Sequence, residues 1–220
     1  MNIRSFDGTD GYPEKVGGTG EWYACMTGTS AEMDAYEAEE AVKSGSAIHG
    51  GGCVLIHYPD GKTYRPFSPE KNVYVGVPVY DGGAIFFYAV DFGRAAVRIY
   101  RFSAETEDGE LLITAEIPLS EVRDCYNLAL QSTPLSLVRQ GNDCDFEILY
   151  PERSSFSIGE RESFLCREDN LLFFTEWSET EHKGKYDYSE RLIVRDLAGK
   201  IISERAGFAC LMDNGEIWLT

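Results

Sequence analysis

The sequence has no long apolar run. No stretch approaches the roughly 20 residues that a membrane-spanning helix needs. The opening Met1-Asn-Ile-Arg-Ser-Phe-Asp7 also lacks the apolar segment of a secretory signal, so the expected location is the cytoplasm. Basic residues are scarce: 20 Lys and Arg against 37 Asp and Glu leave a net charge of −17. No Lys/Arg cluster offsets that charge, and an acidic surface repels phosphate backbones and anionic lipid. Neither nucleic acid nor a membrane is an expected partner. Histidine occurs only at His49, His57 and His182, with no spacing that sets two metal ligands on one strand or helix. The six cysteines, at 25, 53, 125, 144, 166 and 210, include no Cys-x-x-Cys pair. Buried free thiols in a reducing compartment are expected rather than zinc or disulfides, and no metal or cofactor is expected.

What the chain does contain is β signal. Aromatics make up 13% of it, and short apolar runs alternate with Asp-Gly, Asn-Gly and Gly-Gly turns. Residues 1–20 are Gly-rich and read as a loop, and Glu21 to Met26 reads as a strand. One helix is expected over Ser30–Ser44, capped by Thr29 with Glu32 and stopped at Gly45. It would carry a thin stripe of Ala31, Ala35, Ala38 and Val42 opposite an acidic face that includes Glu39 and Glu40. From Cys53 onward everything reads as strands. The clearest unit runs through Glu162–Cys166, Leu171–Trp177, Arg191–Asp196 and Ile201–Arg205, with a polar loop from Ser178 to Ser189.

Turns recur with a period of about 45 residues, near Gly61, Gly109, Arg153 and Gly199, and again near Gly82, Thr133, Asn170 and Gly215. Four strands per repeat at that spacing resemble a small β-propeller, a likeness of architecture that covers about residues 53 to 220. The turn phases predict about four blades in a single β domain over 1–220. The last blade would be completed by the C-terminal hairpin and N-terminal strands together, hiding the sheet edges. A two-sheet β-sandwich is the alternative.

Five residues form the candidate site. Glu176-Trp177 sets an acid beside an aromatic ring at a loop mouth, a pairing suited to a sugar or a cationic group. The blade pattern predicts that His182, Asp91 and His49 lie on the same face, with the helix as a lid. His49-Gly50-Gly51-Gly52 looks like the oxyanion loop of lipases and esterases, but the chain has no Gly-x-Ser-x-Gly elbow. The glycines therefore read as a flexible link. His57 reads as a hydrogen-bonded, partly buried residue and Asn142-Asp143-Cys144-Asp145 as a solvated turn. Arg98, Arg139 and Arg195 on the strands read as partners of carboxylates or as stems covering apolar surface. The expected function is a non-catalytic binding or scaffolding module with an acidic, aromatic-rich surface, for a small polar ligand or a protein. The alternative is a small carbohydrate-active hydrolase or lyase with carboxylates as acid and base.

Overall fold

The computed structural model describes residues 3–6, 9, 11–106, 109–182, 184–212 and 215–220, the side chain of His182 excepted. The turns expected at Asp7-Gly8, Asp10-Gly11, Asp108-Gly109 and Asp213-Asn214-Gly215 fall wholly or partly outside these residues. The fold is all-β, with mainly antiparallel sheets and two short helices. No helix among the described residues is long and apolar enough to cross a membrane. The chain divides into two compact units, Met1–Leu130 and Gln131–Thr220.

In the first unit, β1 (Glu14–Lys15), β2 (Trp22–Thr27), β3 (Gly52–His57) and β4 (Thr63–Tyr64) pair in that order. A second sheet holds β5 (Val73–Val75), β6 (Val79–Asp81), β7 (Ala84–Asp91), β8 (Ala96–Ser103) and β9 (Glu110–Pro118), with β5 and β6 both paired to β7. The single strand expected over Val73–Tyr80 is thus broken in the middle. Pro78 has no N–H for the ladder. At Gly76 a Cβ would fall 1.8 Å from Cε1 of Tyr88, so the backbone there passes over the buried tyrosine ring. Leu55, Val75, Phe87 and Phe102 from both sheets share one core with Val16 and Tyr64.

Between β2 and β3 the expected single helix is two: α1 (Thr29–Glu32) and α2 (Ala35–Lys43). The capping box belongs to Asp34 and Glu37, not to Thr29 and Glu32: Asp34 Oδ1 accepts from Glu37 N (2.8 Å) and Glu37 Oε2 accepts from Asp34 N (3.1 Å). Thr29 is instead buried, and its hydroxyl donates to the His49 carbonyl. Nor is the whole polar face of the helix solvated. Glu39 is 6% exposed and accepts from the Cys125 N–H at 2.8 Å. The glycines after His49 are packed rather than flexible, since a Cβ on Gly51 would lie 1.9 Å from the Ser30 hydroxyl.

The division between the units falls in β10 (Ala129–Gln131), followed in sheet order by β11 (Ser136–Gln140), β12 (Asp145–Tyr150) and β13 (Ser154–Ser157). A further sheet holds β14 (Glu162–Glu168), β15 (Leu171–His182), β16 (Lys185–Asp196) and β17 (Ile201–Ala206), again in chain order. Val138, Phe146, Ile148, Leu172, Phe174 and Ile193 form the core of this unit. The C-terminal strands β18 (Ala209–Leu211) and β19 (Ile217–Leu219) pair as a two-stranded sheet. The N-terminal sheet takes all four strands from residues 14–64, so among the described residues the two termini do not share a sheet. The reason lies in β1, a two-residue strand inside a Gly-rich segment with no apolar pattern to announce it.

Candidate functional site

The stretch expected as a polar loop, Ser178 to Ser189, is strand over residues 178–182 and 185–189. β15 and β16 pair without a break from Leu171–Asp196 to His182–Lys185. β14 accompanies them only as far as Glu176, and β17 only as far as Arg191. Beyond those positions residues 177–182 and 185–190 extend as a two-stranded ribbon. Its ladder needs no apolar residues, because Thr, Tyr and Ser favour the pleated backbone and Ser178 and Ser189 hydrogen-bond across it at 2.7 Å.

Period-two alternation then sorts the ribbon's side chains. Trp177, Glu179 and Glu181 share one face, and their partners Glu190, Tyr188 and Tyr186 lie on the same side. Each cross-strand pair sets an aromatic ring beside a carboxylate. The rings are open to solvent, at 49% exposure for Trp177, 58% for Tyr186 and 60% for Tyr188. Trp177 already holds a cation: the Arg161 guanidinium sits over its ring, 5.1 Å from the centroid. Glu190 anchors the base of the ribbon, its carbonyl accepting from Gly207 N at 2.9 Å.

Glu176 lies on the other face of β15 from Trp177, so the pair does not act as one acid–aromatic unit. It is ion-paired with Arg191, which it holds above its ordinary pKa, and Arg191 also reaches Glu204 at 2.5 Å. Glu162 lies beside Glu176 on the neighbouring strand. It binds Arg195 through two hydrogen bonds, Nη2 to Oε1 at 2.6 Å and Nε to Oε2 at 3.0 Å. These two carboxylates sit on adjacent strands, and an arginine neutralises each.

Asp91 and His49 belong to the first unit. Asp91 ends β7 buried. Burial pushes its carboxyl up, but the Arg94 N–H (2.8 Å), the Arg94 guanidinium (2.8 Å) and Arg98 (3.3 Å) outweigh that and hold it below the ordinary range. It fastens the turn into β8. His49 is exposed, and its carbonyl accepts from Thr29. His182 ends β15, and its side chain lies outside the described residues. His57 is half-buried, with Nδ1 2.9 Å from Asp60 Oδ1, as expected. All six cysteines are free; Cys25, Cys53 and Cys125 are buried and Cys210 is exposed.

Of the residues on this face, the sequence singles out Trp177 and passes over Glu179, Glu181, Tyr186 and Tyr188. The signal was present, since Trp-x-Glu-x-Glu and Tyr-x-Tyr-x-Glu both have the period of a strand. What defines the protein as a class, among the described residues, is an all-β chain of antiparallel sheets, three of them four-stranded meanders, with an aromatic–acidic ribbon extending from one. Beyond that class, comparison with family models, curated proteins and solved structures gives no match.

Proposed function

We propose that the protein is a binding module whose ribbon face, Trp177 to Glu190, takes an extended basic segment of another protein. The observation that carries this reading is the Arg161 guanidinium stacked on Trp177 at one end of a row of rings and carboxylates. Strand residues two apart repeat every ~6.8 Å. Rings on Trp177, Tyr188 and Tyr186 thus follow the spacing of alternate side chains in an extended peptide. Interleaved glutamates supply the countercharge. The net charge of −17 would speed the encounter with a basic partner. The free cysteines suit a reducing compartment such as the cytoplasm. In the same reading the four-stranded meanders are blade-like repeats of a propeller-like protein.

The test is isothermal titration with an Arg-Ser repeat octapeptide and its citrulline counterpart, which keeps shape and loses charge. Binding of the arginine peptide alone is expected. An exposed cation–π contact contributes about 0.5–1 kcal/mol. The Trp177→Ala/Tyr188→Ala variant should therefore bind roughly 5- to 30-fold more weakly. Equal binding of both peptides, or no effect of the double variant, would refute the reading.

A further inference from the structure

The first unit contains a cleft of about 430 Å³, within the range that holds a small ligand. Its walls come from three places: Asp34 and Ala35 at the start of α2, Tyr74, Val79 and Tyr88 of the second sheet with Val77 from the break between β5 and β6, and Cys125 with residues 127–130. Most of the lining is aliphatic. The floor is built rather than incidental, because Tyr88 is 4% exposed and its hydroxyl donates to the Leu128 carbonyl at 2.7 Å. Gly76 leaves that ring the room it needs.

The charge around this apolar space is mostly negative, with Lys43 as the counter-charge on Glu39. Asp34 is the lining carboxylate, Glu37 stands one helical turn on, and Glu39 and Asp124 lie behind Cys125. Tyr74 records the result: burial first, then Asp34, push its hydroxyl up to about 12. The Cys125 thiol is pushed up by burial and then by Glu39 and Asp124, with Lys43 opposing. The positive end of the α2 dipole is already answered by the Asp34–Glu37 capping box. An apolar cleft with an acidic rim rejects anions and rewards a cation that brings its own apolar body.

We propose that this cleft binds a small organic amine, its ammonium group against the Asp34 carboxylate and its aromatic or branched aliphatic body between Val79 and Leu130. Asp34 Oδ1 caps the helix, so Oδ2 is the oxygen that meets the ligand. The site is in a different unit from the ribbon and stands or falls separately from it.

The test uses the full chain and three probes of one shape: phenethylamine, 2-phenylethanol and phenylacetate. Binding is read by chemical-shift changes in ¹⁵N-labelled protein. The amine is expected to bind about five- to tenfold more tightly than the alcohol, the scale of one partly exposed ion pair, and phenylacetate more weakly than either. Asp34→Asn removes the charge but keeps a good N-cap, so the helix stays in place. It should bring the amine down to the alcohol's affinity and leave the alcohol unchanged. Val79→Trp should fill the cleft and abolish binding of both. The proposal is overturned if the alcohol matches the amine in the unaltered protein, if Asp34→Asn leaves the preference intact, if Val79→Trp still binds, or if no probe shifts the amides of residues 125–130.

Discussion

Arginine does unusual duty in the second unit. Arg139 is fully buried, and Arg167 and Arg195 are nearly so. Arg139 pairs with Asp145 at 2.5 Å and Arg167 with Glu152 at 2.6 Å. Arg195 is held through all three of its guanidinium nitrogens. Besides Glu162 it donates to the Gly199 carbonyl at 2.6 Å, and its guanidinium lies 5.9 Å from the Phe174 centroid. Removing one partner of such a pair strands a buried charge. Glu162→Gln should cost about 3–5 kcal/mol in urea unfolding, whereas Arg195→Met with Glu162→Leu should recover most of that. The titrating groups of the first unit set its alkaline limit. Cys53 is pushed up to about 12, by burial first, and Tyr74 likewise to about 12. A thiol or phenol raised in the folded state is fully stabilising below its unfolded pKa, about 8.5 or about 10, and that share is lost as pH rises toward the folded value. Unfolding free energy should therefore be level through neutrality and fall from about pH 8.5 upward. Cys53→Ala should make the first part of that fall shallower, the raised Cys25 and Cys125 thiols keeping the remainder, which chemical denaturation at stepped pH can measure.

Among the elements, α2 has a polar tether to the rest of its unit. Its buried apolar residues are Ala35 and Ala38, both small, and Tyr36 meets Tyr126 edge-on at 5.2 Å, while Glu39 accepts the Cys125 N–H and pairs with Lys43 at 3.1 Å. Glu39→Ala leaves a buried N–H unanswered, a penalty of about 1–3 kcal/mol. Hydrogen exchange should show the Cys125 amide and the α2 amides losing protection together, while those of Leu172 to Phe174 hold theirs. Protection of Cys125 that survives the substitution would show that the tether is not what holds the helix. The split of one expected helix into two was not legible, because Thr29 with Glu32 and Asp34 with Glu37 are equally good boxes in sequence. Only the burial of Thr29 against the His49 carbonyl decides between them. Strands were legible wherever apolar alternation met a Gly-bearing turn, as at β7, β8, β15 and β16. The ribbon was not, since a strand with no core beneath it carries no apolar pattern, and Glu and Ser read as loop. For the same reason Trp177 stood out in the sequence while Tyr186 and Tyr188 did not.

At the scale of the whole molecule, the arrangement of strands into sheets bears on the C-terminus. Because β18 and β19 pair with each other, deleting residues 208–220 leaves every four-stranded sheet with all its strands. The melting temperature should fall by only a few degrees, though the loss uncovers Glu190. A fall several times larger in calorimetry would restore the shared-sheet closure that the turn phases suggested. The ribbon, finally, has two bare flanks. Past Glu176 and Arg191 its outward N–H and C=O groups meet no third strand among the described residues, and such flanks invite a second copy to add on. Carboxylates on Glu179, Glu181, Asp187 and Glu190 keep like molecules apart only as far as their field reaches, about 10 Å in 0.1 M salt and about 3 Å in 1 M. The protein should therefore stay monodisperse in dilute buffer and self-associate as sodium chloride rises, a trend that static light scattering would follow directly.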